Sequence, residues 1–131
     1  MSERICLTLR QFKEMNDLHP VLWELVEDTL VHWPGERMEV TCIFRTPEEE
    51  ETAGGKSGVH MTNPHRAIDL RIKNLVGDYQ LKANALAETL NSLWIYDPTR
   101  PNLKVAISKV HGSGPHVHLQ VSNNTERKPL F

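Results

Sequence analysis

The sequence predicts an α+β domain in which a small antiparallel sheet carries the functional site and packs against two or three helices. Two long segments, near residues 19–33 and 78–94, have apolar residues at helical spacing. Two shorter segments, near residues 66–72 and 116–121, alternate apolar and polar residues as half-buried strands do. The chain has 131 residues, enough to bury a core, and we expect a single domain over residues 1–131.

The first half of the chain is predicted to contain two helices and a buried strand. Thr8 is a candidate N-cap for a short helix in "TLRQFKEMND". The segment "HPVLWELVEDTLVHW" predicts a longer helix that ends at Pro34-Gly35. The β-rich segment Met38 to Phe44 predicts a buried strand, and "RTPEEEETAGGKSG" after it predicts a loop.

The second half is predicted to alternate strands with one helix. In "RAIDLRI" the apolar residues Ile68, Leu70 and Ile72 occupy one face, with Asp69 on the other. The segment Asp78 to Trp94 is rich in Leu, Ala, Lys and Glu and predicts a helix with Leu81 on its apolar side. The segments "LKVAISKV" and "HVHLQV" predict strands joined by a turn at "HGSG", and the polar tail "SNNTERKPLF" is expected to be irregular.

Composition argues against several classes of partner. The 15 basic and 17 acidic residues give a formal charge of −2, so nucleic acid and anionic lipid are not expected partners. No apolar run is long enough to span a bilayer, and the N-terminus lacks the apolar core of a signal peptide. We therefore expect synthesis in a cytoplasm and no membrane association. Cys6 and Cys42 lack a CxxC spacing and are expected to be reduced thiols without a disulfide or metal role.

Two of the predicted strands carry potential metal ligands on their polar faces. Asp69 lies on one of these strands, and His116 and His118 lie on the other. A carboxylate and two imidazoles are donors that Zn²⁺ accepts, and three protein ligands leave a position for water. His60 and His65 both precede Asp69 closely enough to supply a further ligand. These residues predict one zinc ion per chain and the hydrolytic chemistry that zinc supports.

Two stretches carry a resemblance to a known group of enzymes. "IFRTPEEEETAGGKSGVHMTNPHRAIDL" resembles the first motif region of the D-Ala-D-Ala metallopeptidases and related phage endolysin peptidases. "GPHVHLQV" resembles the His-x-His motif of the wider superfamily, which includes lysostaphin-type peptidases and hedgehog domains. The resemblance covers roughly residues 38–121, and about ten positions carry it.

The resemblance implies a role for individual residues of this chain. It implies that His60, Asp69 and His118 bind zinc, and that His116 acts as general base or stabilises the oxyanion. An arginine in the family holds the substrate or polarises its carbonyl, and Arg45 matches it. Ser57 loosely matches the serine that precedes the first histidine.

The chain departs from the family pattern at several positions. His60 precedes Asp69 by nine residues instead of seven, which is consistent with an insertion at Asn63-Pro64. His65 replaces a glycine, and Ser57 lies one place too far from His60. Pro115 stands where the D-Ala-D-Ala enzymes have a catalytic glutamate, which places the chain nearer the His-x-His branch.

The resemblance implies a zinc peptidase that hydrolyses an amide bond in peptidoglycan stem peptides. Carboxypeptidase and endopeptidase action are both compatible with the motifs. A domain of this kind fits a phage lysin or a virion-associated enzyme that reaches the cell wall through lysis or as part of the particle. The alternatives are a zinc-bearing binding module without turnover and a phage structural protein without metal. Arg45 has its own alternative, as a surface residue paired with the acidic run Glu48–Glu51.

Overall fold

A computed structural model describes residues 4–52, 58–109 and 114–129 and confirms the α+β fold class. The helices in these ranges are α1 (Leu9–Glu14), α2 (Pro20–His32), α3 (Pro47–Thr52) and α4 (Tyr79–Leu93). The strands are β1 (Arg4–Cys6), β2 (Arg37–Cys42), β3 (Ala67–Arg71), β4 (Trp94–Ile95), β5 (Ala106–Lys109), β6 (His116–Gln120) and β7 (Glu126–Arg127). Short 3-10 helices span Met15–Asp17 and Val59–Met61.

The main sheet has five strands in the order β1-β2-β3-β6-β5. The pairs β2-β3, β3-β6 and β6-β5 are antiparallel, as the sequence predicts. The sheet as a whole is mixed, because β1 pairs parallel to β2 at its edge. β1 was not predicted: it has only three residues, and a run that short shows little periodicity.

The apolar face of the sheet packs against α2 and α4. Ile68 and Leu70 on β3 and Val117 and Leu119 on β6 are fully buried in one core with residues from both helices. The helices contribute Leu22, Leu25, Val26, Leu86 and Leu90 to that core. Leu81 is exposed, contrary to the predicted apolar face, because α4 turns Ala83, Leu86 and Leu90 inward instead. No helix in the described ranges combines the length and apolarity needed to cross a membrane.

The acidic segment predicted as a loop contains helix α3. Thr46 and Glu49 form reciprocal backbone-to-side-chain hydrogen bonds at its start, with Thr46 N–H donating to Glu49 Oε1 (3.0 Å) and Glu49 N–H to Thr46 Oγ1 (3.2 Å). This is the capping-box arrangement, with Pro47 in the first helical position. The T-x-x-E pattern of a capping box is visible in the sequence. The four consecutive glutamates nevertheless favour the prediction of a solvent-exposed loop.

The C-terminal tail also has more structure than its polar composition suggests. β7 pairs antiparallel with β4, so Trp94 opposes Arg127. The Arg127 guanidinium donates to the Asp28 carboxylate (2.7 Å) and lies over the Trp94 ring, 4.4 Å from its centroid. These contacts tie the tail to α2 and form through tertiary structure, so the local sequence does not reveal them.

Candidate metal centre

Three neighbouring strands bring Cys42, Asp69 and His118 into one row across the sheet. Asp69 on β3 lies directly opposite His118 on β6 and, on its other side, opposite Cys42 on β2. The β2-β3 register shifts between Val40 and Cys42, so β2 has one extra residue at this point. Directly opposed residues of an antiparallel pair face the same side of a sheet, so this row lies opposite the apolar core.

His60 reaches the same point from the 3-10 helix that precedes β3. Its Nε2 atom lies 3.3 Å from Asp69 Oδ1, and His118 Nδ1 lies 2.8 Å from the same oxygen. The two imidazole rings meet edge to face, with centroids 5.1 Å apart. The relative exposures of His60, Asp69 and His118 are 4%, 2% and 3%, so the three groups form a nearly dry cluster.

The outer hydrogen bonds of the two imidazoles determine which nitrogen carries a proton. His60 Nδ1 lies 2.9 Å from the carbonyl of Ile43, which can only accept a hydrogen bond. The amide nitrogen of Gln120 donates to the carbonyl of Lys104, so its Oε1 faces His118 Nε2 at 3.1 Å. If each imidazole donates outward, its other nitrogen presents a lone pair to Asp69 in the neutral form. A further proton on that nitrogen gives a hydrogen bond to the carboxylate instead, as the 2.8 Å distance at His118 Nδ1 allows.

This arrangement requires a positive charge at the centre of the cluster. Two nitrogen lone pairs and a carboxylate oxygen repel one another unless a proton or a metal ion lies between them. Consistent with this, His60 Nε2 is a buried nitrogen without a hydrogen-bond partner among the described residues. The fold thus places three electron-pair donors around one point, while the nearest described guanidinium, that of Arg45, contacts the other oxygen of Asp69.

The pKa values of His60 and Asp69 are both consistent with a positive charge in the cluster. Burial alone lowers the pKa of His60, but the Asp69 carboxylate 3.3 Å away, together with Cys42, outweighs it and raises that pKa to about 10. Burial raises the pKa of Asp69, but His118 and His60 hold it well below its usual range. Without a metal, the cluster therefore retains a proton at neutral pH.

His116 and Arg45 lie on the outer side of Asp69. His116 Nε2 is 3.7 Å from Asp69 Oδ2, and its Nδ1 donates to the carbonyl of Gly114 at 2.8 Å. Arg45 Nη2 is 3.5 Å from the same carboxylate oxygen, and the Arg45 N–H donates to the carbonyl of His60. The side chains of His116 and Arg45 are 11% and 16% exposed, so they lie between the buried cluster and solvent.

A second ion pair stabilises the segment that carries Arg45. The Arg10 guanidinium donates to both oxygens of Glu49, each at 2.8 Å, and to the carbonyl of Phe44 at 3.0 Å. This interaction lowers the pKa of Glu49 to about 2. Glu49 of the acidic run thus pairs with Arg10, while Arg45 contacts Asp69. Arg10 and Glu49 are 39 residues apart in the sequence, and no local sequence pattern links them.

Cys42 belongs to the group as well, although the sequence did not suggest it. Donor atoms of Cys42, His60 and Asp69 all lie within 4.8 Å of one another, so this group can hold a metal ion. Cys42 Sγ lies 3.6 Å from His60 Nδ1, and both cysteines are free of disulfides, as expected. The bulge in β2 turns Cys42 toward Asp69, and no signal in the sequence marks that bulge.

The structure distinguishes His60 from His65. The ring of His65 packs against Phe44, with centroids 4.9 Å apart, and its Nδ1 donates to the carbonyl of Thr62 at 2.8 Å. His60 is the histidine of this segment that contacts Asp69. The remaining predicted site residue, Ser57, lies outside the described residues. No protein-family model, curated protein or solved structure matches the chain.

Proposed function

We propose that the protein is a zinc-dependent peptidase that hydrolyses an amide bond in peptidoglycan stem peptides. The observation that carries the proposal is the convergence of His60 Nε2 and His118 Nδ1 on Asp69 Oδ1 in a buried cluster. Two imidazole nitrogens and one carboxylate oxygen form the ligand set of many catalytic zinc sites. The resemblance to cell-wall metallopeptidases supplies the substrate class.

The surroundings of the two histidines support this ligand set. Histidines that bind metals usually donate their other ring N–H to a carbonyl or carboxylate, which orients the ring and fixes the tautomer. His60 donates to the carbonyl of Ile43, and His118 donates to the side-chain oxygen of Gln120. We therefore assign the zinc ligands to His60, Asp69 and His118.

The chemistry divides between the metal and the residues beside it. Zinc supplies a Lewis acid that activates water and polarises a carbonyl at neutral pH. His116 Nε2 can accept the proton of the attacking water, because its Nδ1–H is committed to the carbonyl of Gly114. After protonation the same nitrogen can return the proton to the leaving amine. Arg45 forms an ion pair with the carboxylate of Asp69. It also provides positive charge beside the oxyanion that develops on the substrate carbonyl.

One observation favours a second candidate, a metal-bearing module without turnover. The donor atoms of Cys42, His60 and Asp69 lie within 4.8 Å of one another, and a fourth ligand from His118 would close the coordination shell around a metal bound there. Closed tetrahedral sites with cysteine are typical of structural zinc, whereas catalytic zinc keeps a position open. The two candidates therefore differ in whether Cys42 is a ligand.

Metal content tests both candidates directly. The protein would be purified without a histidine tag as wild type, His118→Ala and Cys42→Ser, and assayed for zinc per chain. The peptidase proposal predicts about one zinc in the wild type and in Cys42→Ser, and none in His118→Ala. Loss of zinc in Cys42→Ser would favour the closed structural site. A wild-type protein that takes up no zinc would rule out both candidates.

Hydrolysis then separates an enzyme from a binding module. We expect His116→Ala to retain zinc but to lose hydrolysis of peptidoglycan fragments by about 100-fold or more, the usual contribution of a general base. His32→Ala is the matched control, because His32 is exposed at the end of α2. Equal activity in His116→Ala and His32→Ala would show that His116 takes no part in catalysis.

A further inference from the structure

A groove of about 300 Å³ opens beside His116, on the outer side of the metal centre. Two cations and no acidic residue lie in its lining, which consists of Thr41, Arg71, Lys73, Gly114, Pro115 and His116. This local composition contrasts with the formal charge of −2 of the whole chain. The groove therefore presents positive charge next to the residues proposed to act on the substrate.

The strand register explains why these cations lie where they do. Arg71 on β3 is directly opposite His116 on β6, and Lys109 on β5 opposes His116 from the other side. Arg71 follows Asp69 by two residues, so it faces the same side of the sheet at about 6–7 Å along the strand. The donor row Cys42–Asp69–His118 thus has a basic row, Arg71–His116–Lys109, immediately beside it.

The charge of the groove is only partly neutralised. Arg71 Nε donates to Glu39 Oε1 at 3.1 Å, and both side chains are nearly half exposed. No described contact engages the two terminal amino groups of Arg71, and none engages the ammonium group of Lys73. Glu39 therefore offsets part of the charge of Arg71, whose guanidinium retains donors for a planar anion.

We propose that this groove binds the C-terminal carboxylate of the peptide substrate through Arg71 and Lys73. The proposal rests on the peptidase function for its choice of ligand. A guanidinium matches a carboxylate in shape and charge, and Lys73 adds a second, more flexible cation. The basic row lies two residues along β3 from Asp69. One to two residues of an extended peptide substrate span this distance. Cleavage is therefore expected near the C-terminus of the peptide.

Binding measurements in EDTA test the groove without consuming the peptide. The protein would be titrated calorimetrically with an N-acetylated stem peptide that ends in a carboxylate, and with the same peptide ending in an amide. We expect the acid to bind about tenfold more tightly than the amide. Arg71→Gln and Lys73→Gln should each reduce this preference by about three- to fivefold, the range of a partly exposed ion pair. Neither substitution should change the affinity for the amide.

Lys128→Gln is the matched control, since Lys128 is exposed on the segment after β7 and is not a lining residue of the groove. Equal affinity for acid and amide in the wild type would overturn the proposal. So would an equal loss of preference in Lys128→Gln, which would indicate a general charge effect. Inorganic phosphate that displaces the acid as effectively as the peptide itself would identify a general anion site instead.

Zinc content and hydrolysis, measured separately, distinguish this proposal from the proposed function. A carboxylate preference that depends on Arg71 and Lys73, without zinc-dependent hydrolysis, would support carboxylate binding in the groove and contradict the peptidase function. Zinc-dependent hydrolysis with the same KM for the acid and the amide peptide would support the peptidase function and contradict carboxylate binding in the groove.

Discussion

Asp69 and Asp97 are equally buried, each 2% exposed, but their partners differ in kind. Asp97 accepts hydrogen bonds from the Thr99 N–H (2.9 Å), the Thr99 hydroxyl (2.7 Å), Arg100 Nε (3.0 Å) and Asn124 Nδ2 (3.3 Å). All four are groups that donate a proton. Hydrogen bonds from Thr99 hold the pKa of Asp97 well below its usual range. Asp97 is thus satisfied by its own turn and one neighbouring loop.

Asp69 faces two imidazole nitrogens on the inner side of rings whose outer nitrogens already have acceptors. These nitrogens donate to Asp69 only when the cluster holds a proton, and a metal ion can take the place of that proton. Burial and a lowered pKa are common to both aspartates and do not distinguish a structural role from a functional one. The kind of partner distinguishes them, because two imidazole nitrogens that can bind a metal meet at one oxygen of Asp69, whereas Asp97 is surrounded by donors alone.

The largest expected effect separates the two aspartates by metal affinity. Asp69→Asn removes an anionic ligand, and we expect zinc affinity to fall by more than about 100-fold, beyond the usual effect of changing a residue that only hydrogen-bonds to a ligand. Asp97→Asn should bind zinc as the wild type does. Competition with a chromophoric chelator measures both constants. Similar zinc affinities in Asp69→Asn and Asp97→Asn would show that the two aspartates do not differ in metal binding.

Zinc should also stabilise the fold through the Asp69 site. At free zinc 100-fold above its Kd, we expect about 2.7 kcal/mol of added stability and a rise in Tm of about 10 °C. Thermal unfolding with and without zinc should show this rise in the wild type and in Asp97→Asn. Asp69→Asn should show no rise, and a full rise in that variant would place the metal elsewhere.

The outer partner of His118 should have a smaller but measurable effect. Gln120→Ala removes the oxygen that accepts from His118 Nε2, so the ring loses its fixed tautomer. We expect zinc affinity to fall about 10- to 100-fold. Gln80→Ala is the matched control, because Gln80 bonds to Asn84 and Ser108 on α4 and β5. Equal losses in Gln120→Ala and Gln80→Ala would show that the orientation of His118 is unimportant.

The smallest effect concerns the pH dependence of Asp97. Because its pKa is lowered on folding, its contribution to stability is present above the ordinary carboxyl pKa, near 4. That contribution is lost as pH falls from about 4 toward the folded-state pKa. The Tm difference between wild type and Asp97→Asn should therefore be constant above about pH 5 and should narrow below about pH 4. A difference that does not change down to pH 3 would show that the charge of Asp97 is unimportant.

Much of the fold follows from local periodicity in the sequence. Helices α2 and α4 begin and end within a residue or two of their predicted limits, because caps such as Asp78 and breakers such as Pro34 act locally. The alternation in β3 and β6 correctly assigns Leu70 and Leu119 to the core. The predicted loop and the predicted irregular tail were wrong at α3 and β7, which depend on a capping pair and on pairing with a distant strand.

The sequence by itself determined which face of each strand carries the donors, because side chains alternate along a strand with a period of two. It therefore placed Asp69, His116 and His118 away from the core before any contact was known. Only the tertiary structure decided which donors meet, because strand register and the bulge in β2 depend on residues far apart in the chain. That pairing puts Cys42 opposite Asp69, brings His60 rather than His65 into contact with Asp69, and aligns Arg71 with His116.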